Sequence, residues 1–184
     1  LRDTFEQIAE LDNVVVFIDE VEEIASHRAG EPPAATQGVT NELLKLIPMF
    51  REGRGRLLIV ATNFIRALDA AFLRHGRFDY VIPIGLPDHD ARRAIWGQYI
   101  PATGEAQVDL DQLVHRTAGF SPADIEYAAR KGSQRALEAA VYQENQQAAP
   151  STDDYDWAIG ETRMTVSKEV AEEFLVDIDQ VARL

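Results

Sequence analysis

Two adjacent carboxylates, Asp19 and Glu20, directly follow five apolar residues, Val14-Val15-Val16-Phe17-Ile18. A hard cation such as Mg2+ takes oxygen ligands, and a nucleophilic water takes a carboxylate that orients it or accepts its proton. Asp19 and Glu20 could divide those two jobs. A second polar pair, Thr62-Asn63, follows a second apolar run, Leu57-Leu58-Ile59-Val60-Ala61. Two arginines, Arg74 and Arg77, lie in the charged segment Arg74-His75-Gly76-Arg77-Phe78-Asp79. Each feature also has a plain structural reading: two acids in a solvated turn, an asparagine capping a turn, arginines on an exposed loop. His27, His75, His89 and His115 show no metal-ligand spacing. With no cysteine there is no disulfide framework, thiol catalysis or thiolate metal site, and a cytoplasmic location is the expectation.

The elements that must position these residues follow from periodicity. Leu1, Phe5, Ile8 and Leu11 share one helical face, and the helix ends near Asp12-Asn13. An uninterrupted apolar run as short as Val14-Val15-Val16-Phe17-Ile18 reads as a strand buried on both faces, as in parallel sheets. In such sheets ligands bind at the carboxyl ends of the strands, which is where Asp19, Glu20, Thr62 and Asn63 fall. Residues 21–25 read as a short helical turn and residues 26–37, with Gly30, Pro32 and Pro33, as an exposed loop. A helix opens at Thr36 or Gly38, and Pro48 kinks or ends it. Residues 51–56 read as a solvated basic turn. Asp69 can cap a short helix over residues 70–73. Residues 80–84 read as a third strand, placed at an edge or near its end because Pro83 cannot donate to a ladder.

After Leu86-Pro87-Asp88 only helical patterns remain. Helices start at Asp88 and Asp109. A third starts at Ser121-Pro122-Ala123-Asp124, with Ser as cap, Pro at the first helical position and an acid three residues after the cap. Residues 145–151 form a polar linker, and two further helices follow, the last capped by Ser167. The expected division is residues 1–86, α/β, and residues 87–184, all-helical.

Net charge is −13, from 18 Lys and Arg against 31 Asp and Glu. Residues 1–100 carry 15 acids and 11 bases, and residues 101–184 carry 16 acids and 7 bases. A broad nucleic-acid-binding face needs clustered Lys and Arg, so this balance argues against one. No apolar run approaches membrane-spanning length. The first residues, Leu1-Arg2-Asp3-Thr4-Phe5, lack signal architecture and an initiator Met, which leads to the expectation of a piece of a longer protein.

Taken in order, these motifs resemble a classical AAA ATPase, over the second half of its large nucleotide-binding domain and its helical lid. The implied fold class is α/β: a partial parallel-sheet P-loop NTPase subdomain followed by an all-helical lid. Phe17-Ile18-Asp19-Glu20 resembles the Walker B motif; by that resemblance Asp19 helps hold Mg2+ through water, and Glu20 polarises the water that attacks the γ-phosphate of ATP. Ala61-Thr62-Asn63 resembles sensor 1, whose amide lies between γ-phosphate and water. Residues 68–79 resemble the second region of homology, with Arg74 and Arg77 at its two arginine-finger positions, reaching a neighbouring subunit's ATP. Such cations are worth about 10³–10⁵ in rate where they meet the transferred phosphoryl group. Thr117-Ala118-Gly119-Phe120-Ser121-Pro122-Ala123-Asp124-Ile125 resembles the lid motif, in which Pro122 and Ala123 border the adenine. Tyr99 stands where many members have a His near the base; it is either base-stacking or lid core.

The chain also departs from the family pattern. It contains no Gly-x-x-x-x-Gly-Lys-Ser/Thr, so the phosphate loop is expected before Leu1, as is the first pore loop. The segment corresponding to the second pore loop, within residues 29–38, carries no aromatic. Ile47-Pro48-Met49-Phe50 stands for the family's Met-Asp-Gly-Phe, Phe64-Ile65 for its Arg-Pro, and Pro122 for its Gly. The resemblance implies an ATP-hydrolysing, hexameric motor that remodels or unfolds proteins, inactive as an isolated fragment. A non-hydrolysing AAA-like scaffold is the rival, and a DNA-loading relative is disfavoured by the acidity.

Overall fold

Helix α1 (Arg2–Ala9) delivers the chain into strand β1 (Val14–Ile18), followed by the one-turn helix α2 (Glu22–Ala25) and the long helix α3 (Ala34–Arg51). Strand β2 (Arg56–Val60) then pairs parallel with β1, Val14 opposite Arg56 and Ile18 opposite Val60. A single 3-10 turn, Ile65–Ala67, comes after β2. Among the described residues five helices follow: α4 (His89–Tyr99), α5 (Leu110–Arg116), α6 (Pro122–Tyr142), α7 (Thr152–Gly160) and α8 (Lys168–Val181). The computed structural model describes residues 2–25, 34–101, 108–142 and 149–183, with no description of the side chains of residues 9 and 34–37. Residues 26–33 of the expected loop and residues 143–148 around the expected linker lie outside them.

The contacts divide the chain into two compact units, Leu1–Pro83 with Val176–Leu184, and Ile84–Leu175. The last nine residues thus group with the first unit and not with the helices that precede them. Long-range contacts tie this segment to the first unit: Arg183 exchanges two backbone hydrogen bonds with Val81, and Asp177 pairs with Arg66 at 2.5 Å.

In the first unit, Phe5 of α1, Val21, Ala25 and the α3 residues Leu43, Leu46, Ile47 and Phe50 are buried together with Leu68 and Phe72. The inward residues Val14, Val16, Ile18, Leu58 and Val60 of the sheet pack against them, and Phe5 meets Phe50 edge to face at 6.0 Å. The expectation of a strand buried on both faces is corrected here. Val15, Phe17, Leu57 and Ile59, the alternate residues of β1 and β2, are exposed, because among the described residues no helix covers that face.

Other expectations shift for identifiable reasons. α3 begins at Ala34, before Thr36, and runs through Pro48 to Arg51. Burial of Leu46, Ile47 and Phe50 on either side of Pro48 outweighs the lost backbone bond. Residues 70–73 form overlapping turns and no helix. Residues 80–84 are not a strand: Val81 alone makes a bridge, antiparallel to Arg183, and Pro83 has no N–H to extend it.

The second unit is helical. Trp96, Ile100, Leu113, Val114, Phe120, Ile125, Ala128, Ala129, Tyr155 and Ile159 make its core. Trp96 and Tyr155 meet edge to face at 5.5 Å, and the buried indole N–H of Trp96 donates to Thr117 Oγ1 at 3.2 Å. Asp88, Asp109 and Ser151 cap α4, α5 and α7 through their side chains. Among the described residues no helix is long and apolar enough to cross a membrane.

Candidate functional site

The chemistry-bearing residues of the first unit gather where the two parallel strands end. The ladder continues past β1 and β2, since Ala61 N–H donates to Ile18 O at 2.9 Å and Val21 N–H donates to Ala61 O at 3.0 Å. Residues 19–21 and 61–63 therefore leave the sheet side by side. Asp19, Glu20 and Asn63 are all exposed there. Glu20 adopts a left-handed backbone, φ 51°, which costs a residue with a side chain about 1–3 kcal/mol. Two bonds hold it: Glu20 N–H donates to Asp19 Oδ1 at 2.9 Å, and Glu20 O accepts from Glu23 N–H at 2.9 Å. A strained, doubly tethered acid at a strand end is the kind of feature that clusters at functional sites.

Glu22, which the motif reading passed over, joins the two strand ends. Its Oε1 accepts from Asn63 N–H at 3.1 Å. Burial pushes its carboxyl up, but hydrogen bonds, the one from Asn63 N–H among them, outweigh it, and the group ends below its ordinary value. Next to it Thr62 Oγ1 accepts from Phe64 N–H at 3.1 Å. The available sequence signal was the apolar spacing of Val21 and Ala25, four residues apart, which leaves Glu22 off their shared face; its partner is visible only once the strands are paired.

Arg74 and Arg77 sit on the turn after the 3-10 segment. Asp69 builds that turn by accepting from Ala71 N–H through Oδ1 and from Phe72 N–H through its carbonyl, both at 2.8 Å. Phe72 is buried and pins the turn to the core. Arg74 is exposed, whereas Arg77 is half-buried and its guanidinium donates to Ala71 O within the same turn. Arg51, read from sequence as part of a solvated turn, braces the segment: it donates to Gly76 O at 2.5 Å and pairs with Asp79 at 2.6 Å. Gly76 has φ +90°, which a side chain rarely adopts. The structure thus brings Asp19, Glu20 and Asn63 together and puts Arg74 and Arg77 on a separate loop.

In the helical unit, Tyr99 ends α4 and is half-buried against the core. Burial raises its pKa, and so do the charge and hydrogen bond of Glu126 on α6. Glu126 lies one turn beyond Pro122 and Ala123, which open α6 and are exposed, so Tyr99 and that first turn are neighbours. Beneath them Asp124 is buried. Its Oδ2 accepts from Ser121 N–H at 2.9 Å, Thr165 N–H at 3.3 Å and Thr165 Oγ1 at 3.2 Å. Burial pushes its carboxyl up, but these bonds outweigh it and hold it below the ordinary aspartate value.

The donor set suits a hard cation. Asp19 and Glu20 offer exposed carboxylate oxygens, and Asp19 keeps one oxygen beyond the one spent on Glu20 N–H. Mg2+ takes six oxygens in an octahedron and usually retains several waters, so one or two carboxylates with phosphate oxygens suffice. In open α/β sheets the carboxyl ends of parallel strands are where ligands bind, and here that place holds an acid pair beside a polar loop.

Comparison with known proteins gives the family. Residues 1–86 match the family described as "ATPase family associated with various cellular activities (AAA)". The chain is 34% identical over 143 residues to the ATP-dependent zinc metalloprotease YME1L of Drosophila melanogaster, covering 77% of this chain and 19% of that protein. It is 36% identical over 163 residues to the ATP-dependent zinc metalloprotease FtsH 1 of Salinibacter ruber, covering 86% of this chain and 23% of that one. It is 36% identical over 139 residues to the Cell division cycle protein 48 homolog of Archaeoglobus fulgidus, covering 74% and 19%. The chain belongs to the AAA family of ATPases, and it spans about a fifth of the length of these relatives.

Proposed function

We propose that the chain carries the water-activating half of an ATP-hydrolysing AAA motor. The observation that carries this reading is the hydrogen-bonded pairing of the two strand ends, which sets Asp19 and Glu20 beside Asn63. Mg2+ bound with ATP would neutralise phosphate charge there. Asp19 would help hold the cation, Glu20 would orient the attacking water and take its proton, and Asn63 would fix that water through its amide. Tyr99, Pro122 and Ala123 border the adenine. Arg74 and Arg77 serve the ATP of a neighbouring subunit, a planar cation at the γ-phosphate being the usual device. The assembly is a homo-hexamer acting on protein substrates, in a cytoplasmic setting.

The reading requires a phosphate loop from outside these 184 residues, which span about a fifth of the relatives they match. The 184-residue piece alone is therefore expected to turn over no ATP. In the full-length protein, Glu20→Gln should retain ATP binding while turnover falls about 10²–10⁴-fold, the usual scale for loss of a general base. Turnover equal to the parent's would falsify the role of Glu20. ATP binding without hydrolysis in the parent itself would favour a scaffold. The arginines are tested by mixing: inactive Arg74→Ala subunits and inactive Glu20→Gln subunits should form some competent interfaces together, and a mixture with no activity removes the role in trans.

A further inference from the structure

Glu22, like Glu23, is a carboxylate of the acidic stretch that neither the cation nor the attacking water employs. It is partly covered, unlike Asp19 and Glu20. Its Oε1 takes the backbone N–H of Asn63, and next to it Thr62 Oγ1 takes the N–H of Phe64. Its Oε2 is buried with no hydrogen-bond partner among the described residues, so the Asn63 N–H is the bond that ties this side chain to the loop after β2. The base of that side chain is itself fixed. Val21 before it is buried and bonded to Ala61 O, and Glu23 after it is bonded to Glu20 O.

We propose that Glu22 is a positioning residue, whose carboxylate holds the Asn63 backbone so that the Asn63 amide and the Glu20 carboxylate address one water. It acts through Asn63 and touches no nucleotide. An ionised acceptor suits the task, because charge-assisted hydrogen bonds are roughly twice as strong as neutral ones. Placement matters because a misplacement of about 1 Å can cost about 10²-fold in rate. The inference rests on the roles given above to Glu20 and Asn63.

The test uses the full-length protein and the variants Glu22→Ala, Glu22→Gln, Asn63→Ala and the Glu22→Ala/Asn63→Ala double. Glu22→Ala should lower kcat about tenfold or more and leave the KM for ATP within about twofold, as expected for a supporting residue. Glu22→Gln keeps an oxygen acceptor and should restore most of the loss. In the Asn63→Ala background, Glu22→Ala should cost less than about twofold, since no amide remains to be placed. A second readout is independent of catalysis. In nucleotide-free protein, amide hydrogen exchange at Asn63 should speed about tenfold or more in Glu22→Ala and stay near the parent's in Glu22→Gln.

Unchanged exchange with kcat within about twofold of the parent overturns the proposal, and so do additive losses in the double variant. Should Glu22→Ala fail to fold, Glu22→Met decides, since it keeps the side chain's bulk and removes the acceptor of the Asn63 N–H. It should slow turnover about tenfold and speed exchange at the Asn63 amide, and parent-like values at both overturn the proposal. If Glu20→Gln hydrolyses ATP normally, the nucleotide reading fails by itself, and the exchange data still report whether Glu22 holds the loop.

Discussion

Asp124 is a buried acid that serves structure more than chemistry. At 2% exposure its charge would be costly without partners, yet Ser121 and Thr165 give it three donors to one oxygen. Its pKa is lowered in the folded chain, so protonation favours the unfolded state. The stability it lends is full above the ordinary aspartate value of about 3.9 and is lost as pH falls through the lower folded value. Asp124→Asn should therefore lower stability by about 1–3 kcal/mol at neutral pH, the cost of weakening charge-assisted bonds in a buried site. Urea melts between neutral pH and strong acid read both effects. The variant's stability should fall less steeply than the parent's in the acid range, and parallel curves would show that Asp124 does not titrate differently on folding.

At the scale of elements, close approach decides what a position tolerates. Gly132 lies inside α6 and is buried against α7; a Cβ there would stand 2.6 Å from Tyr155 Cδ1, 3.1 Å from Tyr155 Cα and 3.2 Å from Asp154 O. Helix propensity alone would favour Ala by about 1 kcal/mol. The last two neighbours are backbone, which cannot step aside without moving α7, so overpacking should win. Gly132→Ala is expected to destabilise by about 1–2 kcal/mol net in denaturant melts, and a stabilised variant would show that α7 shifts freely.

The same distinction between local and tertiary cause explains what could be read in advance. β1, α4 and the starts of α4, α5 and α6 were legible, because an apolar run or an Asp or Ser cap with its N–H partner lies within a few residues. The failures lie where a distant partner decides. Residues 80–84 have strand composition, but a strand needs a ladder, and only Arg183 comes alongside Val81. Pro48 reads as a kink or an end of its helix, and the core around Leu46, Ile47 and Phe50 carries α3 past it to Arg51. At the site, Asp19, Glu20 and Asn63 were legible as strand-end residues. Glu22 and Arg51 were not, since their partners Asn63, Gly76 and Asp79 are 25 or more residues away.

For the whole molecule, the two hydrophobic clusters share no residue. The first unit is discontinuous in sequence, because the chain leaves it at Pro83 and returns at Val176. Among the contacts of the returning segment are the Arg66–Asp177 pair and the bridge between Val81 and Arg183. The Arg66 side chain is 54% exposed in its pair with Asp177, and largely solvated ion pairs contribute about 0–1 kcal/mol. The core of the first unit should therefore survive when the segment Val176–Leu184 is released. Two calorimetric transitions are expected for the 184-residue chain, each set by its own cluster. Leu43→Ala and Leu113→Ala each empty a fully buried site, one per cluster, and such truncations cost about 2–5 kcal/mol. In units of this size that lowers a melting temperature by about 8 °C or more. Each substitution should move one transition and leave the other within about 2 °C, as expected for distant sites whose effects stay separate. A single transition displaced by both substitutions would mean that the cores unfold together.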